Sequence, residues 1–134
     1  KKLPNLEKFI YFSTDEVYGS APVGMAYKEG DRFNCGNPYS ASKAAAECIC
    51  QAYSNTYQMP IITTNTMNVI GQRQHPEKFV PKVDFHSSRP GHDLRYAMDG
   101  KKMADLGWTH PILFEDSLRH TIDWTLAHPN WLEI

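Results

Sequence analysis

The feature that most constrains this chain is the order of its elements. Phe9-Ile10-Tyr11-Phe12 is an unbroken apolar run of the kind that forms a strand buried on both faces. Ser40 to Tyr57 is rich in strong helix formers, with Ala44-Ala45-Ala46-Glu47 at its centre and no Gly or Pro. Pro38 stands just upstream, near a helix start, and Gln58-Met59-Pro60 ends the helix because Pro60 cannot continue it. Ile61 to Ile70 is rich in Ile, Thr and Val and reads as a second strand with its exit loop. Strand, loop, helix and strand in that order is a βαβ unit, which predicts a parallel sheet and an α/β fold.

Around this unit the pattern is weaker. Ser13-Thr14-Asp15-Glu16 turns polar where the first strand ends, and residues 20–38 read as a long surface loop rich in Gly, Pro, Asn and charge. Loops of that length in a compact domain are often functional. Pro76 to Val83 reads as a short helix and residues 87–93 as a loop. Asp99 can N-cap a short helix that stops at Gly107. Leu118, Ile122 and Leu126 give the stretch from Phe114 to Ala127 an i, i+4, i+8 apolar stripe, the mark of an amphipathic helix. Two strands do not make a stable doubly wound sheet. The pattern therefore predicts a partial sheet, with pieces of the fold missing from these residues.

Composition narrows the function classes. A formal net charge of −1 gives no field for nucleic acid or anionic membranes. No apolar run approaches the ~18 residues of a membrane span, and the start, Lys1-Lys2-Leu3-Pro4-Asn5, does not read as a signal peptide. Cys35, Cys48 and Cys50 follow no disulfide framework, which fits thiols in a reducing, cytoplasmic compartment. His75, His86, His110, His120 and His128 are scattered, with no H-E-x-x-H or Cys/His cluster, so no metal site is expected.

The residues that carry chemistry are Tyr39 and Lys43. Tyr-x-x-x-Lys puts both on one helix face, one turn apart. A nearby ammonium favours a phenolate and draws a tyrosine down from about 10, toward acid/base work on a hydroxyl being oxidised to a ketone. Such a pair is common by chance. Here it follows a buried strand ending in Ser13-Thr14-Asp15-Glu16, and strand ends in open α/β sheets are where ligands bind.

Ser13-Thr14-Asp15-Glu16-Val17-Tyr18-Gly19 followed by Pro38-Tyr39-Ser40-Ala41-Ser42-Lys43 resembles the dTDP-glucose 4,6-dehydratases, a branch of the extended short-chain dehydrogenase/reductase family. Asn68-Val69-Ile70-Gly71, Pro76-Glu77-Lys78-Phe79-Val80-Pro81, Arg89-Pro90-Gly91-His92-Asp93 and Leu106-Gly107-Trp108 resemble further family stretches in the same order. The resemblance implies a Rossmann-like doubly wound sheet, present in part. Residues 1–83 would be the C-terminal half of the NAD-binding domain and 84–134 part of the substrate-binding C-terminal domain. It implies NAD-dependent dehydration of a nucleotide-glucose, dTDP-glucose first, to the 4-keto-6-deoxy sugar. In that reaction Tyr39 takes the 4-hydroxyl proton, and Lys43 tunes Tyr39 and holds the nicotinamide ribose. Thr14 bonds the C4 oxygen, Glu16 removes the C5 proton and Asp15 protonates the leaving 6-hydroxyl. Ser13 joins Tyr39 and Lys43 at the cofactor. Asn68, Glu77, Lys78, Arg89 and His92 line the nucleotide-sugar, and Arg suits phosphate because its fork binds two oxygens. Family members pair through helices, which implies a homodimer.

Departures from the family matter as much. No G-x-G-x-x-G or G-x-x-G-x-x-G turn occurs, so nothing of the usual kind seats a dinucleotide pyrophosphate. The family's first portion has no counterpart before Lys1, and a second block is expected to be missing around Lys82-Val83-Asp84. Either these residues are joined pieces of a longer enzyme, or they form a truncated, inactive remnant. Thr63-Thr64-Asn65-Thr66-Met67 and Val69-Ile70 differ from the usual family sequence and leave the nucleotide open. A UDP-glucuronate decarboxylase or a sugar 4-epimerase is the related alternative.

Overall fold

A computed structural model describes residues 5–69, 71–73 and 93–132. The chain divides into two compact units. Within the first unit, strand β1 (Phe9–Thr14) pairs in parallel with β2 (Ile61–Thr66), in register from Phe9 opposite Ile61 to Thr14 opposite Thr66. Helix α1 (Pro38–Tyr57) connects them and packs on both strands. The βαβ unit expected from the sequence is therefore present, and helix and strand bounds fall close to the predicted ones.

Local chemistry explains where α1 starts. Asn37 is its N-cap: the side-chain oxygen accepts from Ser40 N at 2.9 Å, and Ser40 Oγ accepts from Asn37 N at 3.3 Å. This reciprocal cap satisfies two amides that the helix itself leaves unpaired. Pro38 occupies the first turn, where its missing N–H costs nothing. Gln58, in the left-handed region at φ 53°, ends the helix before Met59-Pro60.

One expectation is corrected. Phe9-Ile10-Tyr11-Phe12 is a strand but is not buried on both faces: Phe12 is 65% exposed and Ile10 52%. The described sheet has two strands and one covering helix, so most of its apolar surface has nothing to pack on. The core sits beyond the strand instead, where Val17, Tyr18 and Ala44 pack together with Tyr27, Phe33 and Cys35 around them. The Tyr18 ring stacks on Tyr27 at 5.4 Å and meets Phe33 edge-on at 5.7 Å.

The segment read as a long surface loop is anchored. Ala21 N donates to Arg95 O at 2.8 Å, Tyr27 N to Ala97 O at 2.9 Å, and Asp99 N to Tyr27 O at 2.7 Å. The Arg95 guanidinium adds bonds to the carbonyls of Pro22 and Met25 at 2.8 and 2.7 Å. Residues 93–100 thus belong to the first unit and fasten the long loop through backbone pairing.

The second unit contains α2 (Lys101–Asp105) and α3 (Phe114–Ala127). Gly107, at φ 82°, closes α2 as the sequence suggests. The stripe on α3 is open: Ile122 is 43% and Leu126 71% exposed, and Thr121 is the buried residue. Trp124 stacks on His128 at 4.2 Å and meets Trp131 edge-on at 5.7 Å, which fixes the end of this helix. The helix expected over 76–83 lies outside the described residues.

Gly19 permits the turn that follows β1. Its φ of 76° is strained for any residue with a Cβ, and a Cβ there would press into the Asn34 carbonyl. Gly19→Ala is expected to destabilise the fold by about 1–3 kcal/mol, since strain and a backbone clash coincide. Urea unfolding of the full-length variant measures this, and an unchanged midpoint would show that the turn yields freely.

Candidate active site

The site begins where β1 ends. Thr14 is extended at φ −133° and ψ 152°, and the chain then coils into a 3-10 turn over Asp15–Tyr18. On a straight strand Asp15 and Glu16 would point to opposite faces. In a 3-10 turn successive side chains are about 120° apart, so both carboxyls can face one region. Thr14 makes the turn. Its hydroxyl oxygen accepts from Glu16 N at 3.3 Å, and its hydrogen is donated to Asp15 Oδ1 at 3.1 Å.

The two acids sit in different surroundings. Asp15 is 8% exposed, and burial pushes its carboxyl above the usual carboxylate value; the Thr14 hydroxyl partly offsets this, and the Glu16 charge adds a smaller push upward. Glu16 is half-buried, and its Oε2 accepts from Asn37 Nδ2 at 3.0 Å. That bond places the Glu16 carboxylate at the N-terminus of α1, the positive end of the helix dipole.

Tyr39 lies in the first turn of that helix, two residues beyond Asn37, and is 53% exposed. Its hydroxyl has no hydrogen-bond partner among the described residues. Lys43, one turn on, reaches across to β1: Nζ donates to Phe12 O at 2.6 Å and lies 4.6 Å over the Tyr11 ring. The ammonium is thus fixed beside the strand that ends in Thr14. Ser13 is 4% exposed, and its Oγ has no partner among the described residues. Ser13, Thr14, Asp15 and Glu16 thus lie at the end of β1, with Glu16 bonded to the Asn37 cap of the helix that carries Tyr39, and Lys43 of that helix bonded to Phe12 of the strand.

Asn68 follows β2, is exposed and falls in the second unit. Glu77, Lys78, Arg89 and His92 lie outside the described residues. Among the described residues no group of three His, Cys, Asp or Glu could hold a metal, and no helix is long and apolar enough to cross a membrane.

Sequence reasoning missed two supports. Asn37 could have been found as an N-cap, because Asn before Pro is a helix-start signal; its bond to Glu16 leaves no trace in the sequence. Asn65 stands out in the sequence only as part of a departure from the family pattern. Its side chain instead donates to Glu47 Oε1 at 2.7 Å and Thr14 O at 3.4 Å, and accepts from the Tyr18 hydroxyl at 3.4 Å. Burial, with the Glu47 charge next, pushes the Tyr18 phenol up to about 12, so it stays a neutral donor. This network braces the strand end from the β2 side.

The family described as GDP-mannose 4,6 dehydratase matches residues 2–83. The dTDP-D-glucose 4,6-dehydratase of Mus musculus is 27% identical over 198 residues, covering 89% of this chain and 56% of the mouse protein. A trifunctional UDP-glucose 4,6-dehydratase/epimerase/reductase of Arabidopsis thaliana is 27% identical over 202 residues, covering 94% of this chain and 30% of that one. The crystal structure of the Bacillus anthracis dTDP-glucose 4,6-dehydratase in complex with NAD is similar at a TM-score of 0.81 and 26% identity, over 94% of this chain and 64% of that one. The chain spans little more than half the length of the mouse protein. The mouse alignment runs over 198 residues although this chain has 134, so the relative holds residues inside the aligned span with no counterpart here.

Burial of Asp15 sets a direction for stability against pH. A carboxyl raised in the folded state binds its proton more tightly there than in the unfolded chain, so its ionisation opposes folding. The penalty is full above the folded value and is relieved as pH falls through it toward the ordinary value of 3.8. Asp15→Asn is expected to raise the neutral-pH unfolding midpoint and to flatten the acid side of the stability profile. Thermal unfolding between pH 4 and 7 checks this; a lower midpoint at pH 7 would show that the ionised carboxylate is a net support.

Proposed function

Since the chain belongs to the GDP-mannose 4,6 dehydratase family, we propose that it is the catalytic portion of an NAD-dependent nucleotide-glucose 4,6-dehydratase acting on dTDP-glucose. The observation that carries this reading is the Asn37–Glu16 bond, which sets a carboxylate at the start of the helix that bears Tyr39. An acid pair beside a phenol suits dehydration, which needs a base at C5 and an acid at the 6-hydroxyl besides the group that handles the 4-hydroxyl.

Tyr39 accepts the proton of the sugar 4-hydroxyl, with Thr14 bonding the C4 oxygen. The ketone at C4 then acidifies the neighbouring C5 proton, which Glu16 removes. Asp15 gives its proton to the departing 6-hydroxyl, and its burial supports that role because it favours the protonated form. NAD, when bound, supplies the hydride acceptor at C4 and the donor at C6. Residues at the nicotinamide end fit it: Ser13 Oγ is buried with an open bond among the described residues, and Lys43 is fixed beside the same strand. The pyrophosphate end has no Gly-rich turn in these 134 residues.

Residues 1–83 are read as the C-terminal half of the NAD-binding domain and 84–134 as part of the substrate domain, with Asn68, Glu77, Lys78, Arg89 and His92 toward the nucleotide-sugar. A cytoplasmic homodimer of a deoxysugar-forming enzyme completes the reading. The exposed Ile49, Tyr53 and Tyr57 on α1 offer it an apolar pairing face.

Incubating the full-length protein with dTDP-glucose and, separately, UDP-glucose tests the function. A 4-keto-6-deoxy product is expected from dTDP-glucose. Turnover of another sugar nucleotide with neither glucose accepted would favour an epimerase or decarboxylase. Tyr39→Phe is expected to lower kcat by about 10²–10⁴-fold through loss of the acid/base group. In Glu16→Gln, reduced nicotinamide absorbance is expected to appear without product. Unchanged product formation in that variant would remove Glu16 from its role.

A further inference from the structure

Helix N-caps are filled about equally well by Asn, Asp and Ser. Of the three, Asn alone carries both a carbonyl acceptor and an amide donor. In Asn37 both are used, on different elements. Oδ1 accepts from Ser40 N at 2.9 Å, which fixes the orientation of the amide because that N–H needs an acceptor. Nδ2 is thereby turned to Glu16 Oε2 at 3.0 Å. Ser40 is fully buried, and its hydroxyl both accepts from Asn37 N at 3.3 Å and donates to Asn37 O at 2.9 Å. The backbone of Asn37 is therefore held from the helix side, and its side chain is a rigid strut between α1 and the 3-10 turn.

We propose that Asn37 is the positioning residue of the site: it sets the Glu16 carboxylate in register with Tyr39, so that proton removal at C5 depends on an amide two residues from the phenol. This rests on reading Glu16 as the C5 base. A glutamate without this strut has several rotamers open to it, and displacement of a reacting group by about 1 Å costs on the order of 10²-fold in rate. Cap and strut are separable, since Asp at position 37 caps as well as Asn but replaces the donor with a carboxylate that repels Glu16.

The test uses the full-length protein and has two arms. In the first, the Asn37 side-chain amide is followed in a ¹H–¹⁵N spectrum, and Glu16→Ala is expected to move its Nδ2 protons upfield. An unmoved signal overturns the strut, whether or not the protein turns over any sugar nucleotide. In the second, Asn37→Asp is expected to stay folded, with an unfolding midpoint lowered only by the new repulsion against Glu16, and to keep the rate of nicotinamide reduction by dTDP-glucose. Exchange of the C5 proton with solvent should fall about 10²-fold. Equal loss of reduction and exchange would mean that Asn37 acts only on the helix, and undiminished exchange would mean that Glu16 needs no strut; either result overturns the proposal. Absence of turnover in the wild type, alongside a moved amide signal, would count against the dehydratase reading while upholding the contact.

Discussion

The arrangement rests on one hydrogen bond between two elements. Asn37 caps α1 with its oxygen and holds Glu16 with its nitrogen. Through it, the turn at the end of β1 and the first turn of the helix become one surface. Lys43 makes the same join six residues on, from Nζ to the Phe12 carbonyl. These two ties have different chemistry: one is directional and ends on a carboxylate, the other is a flexible cation seated on a backbone oxygen. Together they tie the turn that carries Thr14, Asp15 and Glu16 to the helix that carries Tyr39.

The adjacent carboxylates are distinguished by environment. Asp15 is enclosed and bonded by the Thr14 hydroxyl, and its burial favours the protonated form. Glu16 is held by an amide donor at a helix N-terminus, a setting that suits an anion. Two neighbours of like type thus sit in different surroundings, as an acid and a base need. The 3-10 turn is what lets neighbours in sequence act on one side of the chain.

Much of the scaffold could be read from the residues. The Ala-rich stretch and the two β-rich runs carry strong local preference, so α1, β1 and β2 appear near their expected bounds. Burial could not be read in the same way, because it depends on neighbours: Phe12 and Leu126 have the pattern of packed residues yet stand exposed. The 3-10 turn at Asp15 has too few residues to show a period. The fastening of residues 20–27 by 95–99 joins stretches far apart in sequence, which no local signal reports. At the site, Tyr39, Lys43 and the Ser13–Glu16 run were visible from type and spacing. Asn37 carried a cap signal but gave no hint of its second bond, and Asn65 drew notice as a departure while acting as a brace.

In the proposed reaction a phenol and two acids at this junction act on one hexose. A single measurement addresses it: conversion of dTDP-glucose carrying deuterium at C4 by the full-length protein, with the product read by NMR. Deuterium from C4 is expected at C6 of a 4-keto-6-deoxy sugar and, in heavy water, a solvent-derived deuteron at C5. A product that keeps its label at C4, with the 6-hydroxyl still in place, would contradict it.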